Sequence, residues 1–410
     1  MPDDPAPRPA AGNAPVLLAL LVLALALRPQ IAAIGPLAPG IGDELGASHG
    51  FVGLLTAIPV LCMGLFAPFG PSLARMAGLR GGVALAVAGL IGFGAVRAVV
   101  PGEGPLLLAT FGIGIGTAMV GPILPMFVRA RLPDHVVGGT SAYAAGTTIG
   151  AALAAAVAVP LATAAGGWRG ALLVVSIVSA AGVVAWLVLS RRPSSDRAPA
   201  ATSASGSRGF VRPHLPWRRP VAWAIGVLFG LQSWLYYGVT AWLVSVYVER
   251  GWAAADASVL LSIVNVSSLV SIVVVPTASR RGSSRRSLLV TAAGLATIGL
   301  LGVAAVPGPA VLWAILLGAG LGMSFTLVLT LPADIGRDGR EVGGAAALML
   351  LVGYLLASAA PFVLGTARDL TGDFGASVWL LVLIAALMVP LAWTLAPRRL
   401  RPARVPVPLA

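Results

Sequence analysis

The sequence predicts an all-α integral membrane protein of about twelve transmembrane helices in two six-helix bundles. Three observations carry this: 58% of the 410 residues are hydrophobic and only 10% charged, apolar stretches of crossing length recur along the whole chain, and one long polar interruption falls near its middle. Soluble domains carry about 25% charged residues, so a soluble reading is excluded.

About 30 Å of hydrocarbon needs roughly 20 apolar residues in a helix. Such stretches fall at 15–38, 50–73, 81–100, 104–128, 137–163 and 170–190, then at 221–248, 256–278, 287–306, 309–331, 343–366 and 376–396. Residues 1–13 form a polar, proline-rich tail, and the first stretch ends without a small-residue cleavage site, so it reads as an uncleaved helix. The expected organisation is a bundle over 14–190, a linker over 191–220 rich in Pro, Ser and Arg, a second bundle over 221–396, and a tail over 397–410.

Charge sets the expected orientation, because short loops rich in arginine are retained in the cytoplasm. With both termini inside, 22 of the 27 basic residues fall in inner segments, three (Arg169, Arg250, Arg368) fall outside, and two (Arg28, Arg97) lie within spans. All are arginine, which reads as coding bias in the solvated loops. The net charge of +13 is therefore a topology signal in a cell-membrane protein. A basic linker also suits contact with anionic lipid; a nucleic-acid partner is excluded for want of a soluble module. Cys62, the single cysteine, rules out an intramolecular disulfide and a cysteine-built metal site, and reads as a small packed hydrophobe.

Arg28, within ALALALRPQIAAIGPLAP, is the foremost candidate site residue. A guanidinium at mid-bilayer costs roughly 2.5–3.5 kcal/mol on insertion scales and more on an isolated helix, so it must face protein or a watery cavity. Ala24, Ala32, Gly35 and Pro39 flank it at helical spacing, a small-residue stripe that leaves room for a partner. Arginine also presents a planar fork of donors suited to oxyanionic groups. Arg97 stands near the end of its span, where it is expected to snorkel to headgroups.

Other candidates are polar or aromatic residues at helical spacing inside apolar spans. These are Gln232, Tyr236 and Thr240 in the seventh span, Asn265 with Ser262 and Ser268 in the eighth, Tyr354 with Ser358 in the eleventh, and Tyr143 with Thr147 in the fifth. Ser233, Trp234 and Tyr237 are adjacent. Isolated Ser and Thr hydroxyls in such helices commonly bond to their own helix. Gly112, Gly114, Gly116 and Gly121, with Gly146 and Gly150, are expected to let helices approach closely, and Pro29, Pro36, Pro122, Pro125 and Pro361 to bend them.

No Asp or Glu lies deep in any span, and His49, His135 and His214 fall outside the spans, so a buried proton relay is missing. Metal-ligand clusters and Cys/His pairs are also lacking, which disfavours a membrane-embedded enzyme; no cofactor is expected. A sensor would need a signalling domain that the chain lacks.

Six spans, a linker and six spans is the hydropathy signature of a transporter built from parallel repeats, with a site between the halves near midplane. Weak internal symmetry agrees: the inner loops PSLARMAGLR and VPTASRRGSSRR carry small residues, Arg and Gly at similar spacing. The plan resembles the major facilitator superfamily. LRPQIAAIGPLAPGIGDELGAS, GLLTAIPVLCMGLFAPFGPSLARMAGLR, GLQSWLYYGVTAWLVSVYVERGW and VGYLLASAAPFVLGTARDLTG are similar to its cyanate and 2-nitroimidazole (CynX/NimT-like) transporter branch. The resemblance implies alternating access around a central site, and a small, polar, anionic or nitro-bearing solute met by Arg28.

Departures are equally specific. Arg75 and Ser279 stand where the superfamily's inner loops usually carry Asp ahead of the glycine. Gly121 precedes Pro122 where the branch often has Asn. The fifth span lacks the Gly-Pro element of drug and proton antiporters, against the alternative of multidrug export. Three coupling modes fit the sequence: facilitated diffusion, protons carried through helix-end acids such as Glu249, and co-movement of a proton on a weak acid.

Overall fold

The computed structural model describes residues 14–190 and 215–394, apart from 307 and 337. The tails over 1–13 and 397–410 and most of the 191–220 linker, with His214, thus lie outside the described residues. Within them eleven helical segments are long and apolar enough to cross a membrane. One of these, His49–Val99, has 51 residues, about twice a crossing at 1.5 Å per residue. Gly78 folds it back with φ 74° and ψ 163°, a conformation that a side chain disfavours. The chain therefore makes about twelve crossings.

In order these are α1 (Ala14–Leu45), α2 (49–77), α3 (79–99), α4 (Glu103–Arg131), α5 (Val136–Ala164) and α6 (Trp168–Leu189), then α7 (Pro220–Glu249), α8 (Ala254–Arg280), α9 (Arg285–Ala305), α10 (Ala310–Ile335), α11 (Gly339–Thr371) and α12 (Gly375–Thr394). Gly282, between α8 and α9, also has positive φ, 87°. The glycines of the two repeated loops thus both take positive φ. Ser48 caps α2 and Ser284 caps α9 by accepting from Phe51 N and Ser287 N, which satisfies one orphan amide at each start.

Two large apolar clusters form the core. The first lies in the first half and gathers Leu20, Leu23, Val83, Val87 and Ile123 around the tilted ring pair Phe127 and Trp186, 4.6 Å between ring centroids. The second, seated mainly in the second half around Leu260, Leu289, Ala296, Leu317 and Leu381, continues across the interface to Ile34, Leu37, Ile41 and Leu55. Across the halves α1 packs on α7, α2 on α11 and α5 on α8, the pairing that a parallel repeat generates, since α2 corresponds to α8 and α5 to α11.

These contacts are not uniform through the depth of the molecule. An even number of crossings puts residues 14 and 394 on one face, here called the terminal face, opposite a distal face. Near the distal face the backbones touch: a Cβ on Gly35 would lie 2.0 Å from the Thr240 carbonyl oxygen, and one on Gly53 would lie 2.3 Å from that of Pro361. Toward the terminal face, Val270–Arg280 of α8 packs against α10, and α4 packs within its own half. The backbone-close contacts between the halves thus gather toward the distal face.

Of the α4 glycines, Gly112, Gly114 and Gly116 lie under Phe93, Cys62 and Ala86 as expected, whereas Gly121 has nothing within 4 Å of a built Cβ and is no packing glycine. Cys62 is buried beside Gly114 as a packed hydrophobe. In α5, a Cβ on Gly150 would lie 2.4 Å from the carbonyl oxygen of Leu25. Gly150→Ala is expected to destabilise by about 1–3 kcal/mol, the usual cost of overpacking, and Gly121→Ala to cost nothing. Thermal unfolding in detergent tests this; equal melting temperatures for the two variants would refute the close α1–α5 approach.

Candidate functional site: an arginine among tyrosines between the halves

Pro29 has no N–H to return to the carbonyl of Leu25, and α1 breaks its ladder there. The amides of Ile31 and Ala32 both donate to the Arg28 carbonyl, at 3.0 and 2.9 Å, so that helical runs over Ala14–Leu27 and Pro29–Ala32 meet at Arg28. The break sits near the middle of the 32-residue α1 and aims the Arg28 side chain across the interface. Nη1 donates to Tyr237 Oη on α7 at 3.2 Å, and Tyr237 Oη in turn points at Met63 Sδ on α2, 3.4 Å away.

Tyr236 and Tyr354 also lie within electrostatic range of the guanidinium, and Tyr143 within range of Tyr354. Three of the chain's five tyrosines thus converge on one arginine from α7 and α11 in the second half, with Tyr143 of α5 behind Tyr354. Arg28, Tyr143, Tyr236 and Tyr354 are half-buried. The ion pairs described involve His49, Arg169, Arg219, Arg285 and Arg368, and Arg28 is in none of them. Its charge is met by neutral phenols, which leaves donors for an incoming acceptor.

Around this centre Tyr236 Oη donates to Asn265 Oδ1 at 3.2 Å, and Asn265 Nδ2 to the Leu261 carbonyl at 2.9 Å. Thr240, one turn along α7, is within hydrogen-bonding reach of Tyr236. Gln232 is placed elsewhere: 2% exposed, it reaches the Leu321 carbonyl of α10 at 3.4 Å and accepts from Ser233 at 3.1 Å, inside the second half. Trp234 packs in that half's core. Ser268, Ser358 and Thr147 bond to their own helices, whereas Ser262 crosses the halves to the Ala152 carbonyl at 2.9 Å. Tyr237, not its neighbour Tyr236, makes the direct bond to Arg28. Adjacent tyrosines differ by about 100° around a helix axis, and only the packing of α7 on α1 selects between them.

Arg97 overturns the snorkelling expectation. It is 0% exposed, and its Nη2 donates to the main-chain oxygen and to Oε1 of Gln30, at 2.7 and 2.9 Å. The side chain turns into the first bundle, where Gln30 of α1 supplies two acceptors.

At the distal face a carboxylate of one half caps a helix of the other. Asp369 of α11 accepts from the amides of His49 and Gly50, at 3.0 and 2.8 Å, at the start of α2, and its Oδ1 lies 2.8 Å from His49 Nδ1. The His49 ring stands against Trp242 and Phe374. Glu249 stays within the second half, accepting from Arg368 at 3.2 Å and from the Phe374 amide at 2.9 Å.

Known proteins resemble this chain in sequence and in fold. The chain is 28% identical to the 2-nitroimidazole transporter of Escherichia coli K12 over 378 residues, 92% of this chain and 94% of that protein. It is 29% identical to the cyanate transport protein CynX of the same organism over 361 residues, 88% and 91% of the two chains. An uncharacterized transporter of Bacillus subtilis 168, YycB, is 29% identical over 378 residues, 91% of each. Among solved structures, an inward-facing bacterial homologue of the human lysosomal transporter Spinster superposes with a TM-score of 0.74 at 17% identity, covering 97% of this chain and all of that one. The D-xylose–proton symporter gives 0.72 at 16%, covering 94% and 98%. The sequence profile of the Major Facilitator Superfamily matches residues 18–361, and the chain belongs to that superfamily of membrane transporters, not to an enzyme family.

Proposed function

We propose that this transporter moves a small, polar, anionic or nitro-bearing solute of the cyanate or nitroimidazole kind across the bacterial inner membrane, by alternating access around Arg28. The supporting observation is a guanidinium held half-buried between the halves with phenols and no carboxylate as its partners. A carboxylate beside it would neutralise the charge; a phenol holds the fork in place and leaves it cationic. A lipophilic cation would be repelled from the same place, which weighs against multidrug export. The relatives named for cyanate and 2-nitroimidazole transport agree in solute class.

The arginine-rich loops put both termini in the cytoplasm. The terminal face is then the inner face, and the backbone-tight contacts seal the outer side. To open outward, the halves must part at Gly35–Thr240 and Gly53–Pro361 and release Asp369 from the start of α2, where a carboxylate contributes about 0.3–1 kcal/mol. The solute exchanges with cytoplasm while that seal holds. Protons as coupling ion, facilitated diffusion and co-movement of a proton on a weak acid all fit the helix-end placement of the acids.

In proteoliposomes Arg28→Gln is expected to lower the uptake efficiency for cyanate or 2-nitroimidazole by tenfold or more, since a hydrogen bond to a charged group contributes about 1.5–3 kcal/mol. Wild-type uptake by a folded Arg28→Gln protein would remove Arg28 from the site, and saturable efflux of lipophilic cations would favour drug export. A second test concerns the seal. With Cys62→Ser as background, a cysteine replacing buried Thr56 should react several-fold faster with an impermeant maleimide added outside when Asp369→Asn is introduced. An unchanged rate would show that Asp369 does not hold the outer seal.

A further inference from the structure

The second intramembrane cation, Arg97, hydrogen-bonds to Gln30 and not to the tyrosine cluster, and it is the most completely buried charge among the described residues. Its exposure is 0%, Nε and Nη1 have no acceptor, and it is in none of the described ion pairs. Burying a cation in this way costs at least about 2.5–3.5 kcal/mol, and a well-packed apolar side chain of similar volume would serve stability as well or better. Stability of the bundle is therefore a poor account of the residue.

Its attachment supplies a better one. Nη2 grips Gln30 twice, at the main-chain oxygen and at Oε1. Gln30 Nε2 donates to Ser176 Oγ on α6 at 2.9 Å, and Ser176 Oγ to the Leu172 carbonyl at 2.9 Å. Gly94, one turn before Arg97, leaves the room: a Cβ there would lie 2.7 Å from Gln30 Nε2 and 2.9 Å from Ser176 Oγ. One knot thus ties α3 and α6 to a single residue of α1.

Gln30 is two residues beyond Arg28, with Pro29 between them. Two residues turn a helix by about 200°, so Gln30 points into the first half while Arg28 points at the second. Where Pro29 and Pro36 remove N–H donors from the α1 ladder, the backbone alone fixes the rotation of this stretch weakly. We infer that Arg97 is a positioning residue for Arg28: by holding Gln30 against α3 and α6, it sets the rotation of the interrupted part of α1 and with it the direction of the Arg28 fork.

The inference rests on the reading that Arg28 meets the solute, and it is testable with two readouts on the full-length protein in proteoliposomes. The first is the KM and maximal rate of cyanate or 2-nitroimidazole uptake; the second is hydrogen–deuterium exchange over residues 30–37, which needs no substrate. Arg97→Gln should raise KM about tenfold or more, the scale of a misplaced contact group, and speed exchange across 30–37. Arg97→Lys, which keeps one charged donor, should recover part of both, and Ser176→Ala should show a smaller change in the same direction. Wild-type KM and exchange in folded Arg97→Gln would overturn the inference, as would a lowered maximal rate with KM and exchange unchanged. If Arg97→Gln does not fold, the same result in both Arg97→Lys and Ser176→Ala would overturn it. If the wild type takes up neither cyanate nor 2-nitroimidazole, the substrate reading fails, and exchange over 30–37 alone decides the positioning role: faster exchange in the variants supports it, and unchanged exchange rejects it.

Discussion

Hydrocarbon cannot solvate a charge, and α1 carries one at half its length. That constraint organises the centre of the molecule. A guanidinium at this depth must face something polar, and in the described residues it finds no acid, only the hydroxyl of Tyr237 and the neighbouring phenols of Tyr236 and Tyr354. Because these tyrosines belong to the other half, the requirement of one side chain in α1 is met only when two bundles come together. The interface between the halves is thus polar at its centre and backbone-tight on its distal side, where Gly35 and Gly53 bring main chains into contact and Asp369 caps the start of α2.

Much of this was legible in the sequence, for reasons that differ from feature to feature. The spans were readable because about 30 Å of hydrocarbon leaves a length signal that no packing detail can blur. The two repeated loops each carry a glycine at similar spacing, Gly78 and Gly282, and both take positive φ. Arg28 was readable because its burial is costly wherever the helix lies. What could not be read was direction. Gln232 and Tyr236 share a face of α7, yet Gln232 reaches α10 and Tyr236 reaches Asn265 of α8, since the face is wide enough to meet two neighbours at different depths. Arg97 was misread for the same reason: distance to the headgroups favours snorkelling, but Gln30 on α1 lies opposite it, and linear sequence does not show which residues oppose one another across a bundle.

The two arginines divide the polar work of the first half. Each approaches α1, one from within it and one from α3, and they act on opposite sides of the same proline. Pro29 is the reason this matters: a continuous ladder would fix the rotation of every side chain along α1, whereas an interrupted one leaves that setting to side-chain contacts. The glycines of α5 press on the same stretch from a third direction, with Gly146 against Leu21 and Gly150 against Leu25, so packing fixes the position of α1 while the polar knot at Gln30 bears on its rotation.

On the proposed reading, the bond between Arg28 and Tyr237 also explains how occupancy could be felt by the whole molecule. It is a contact between the halves as well as a contact in the site, and a solute that takes up the Arg28 fork competes with it. Binding then removes one polar tie across the interface and substitutes a bridge whose length is set by the solute. A ligand shifts a conformational equilibrium only by its differential affinity for the two states, and a bridge of fixed length supplies that difference, because the gap between α1 and α7 differs between inward-open and outward-open arrangements. A carboxylate in place of Tyr237 would give a stronger tie and a worse switch, since an ion pair at this depth would cost several kcal/mol to break and leave its partner charge uncompensated. The neutral phenol is weak enough to be replaced and polar enough to hold the arginine until it is.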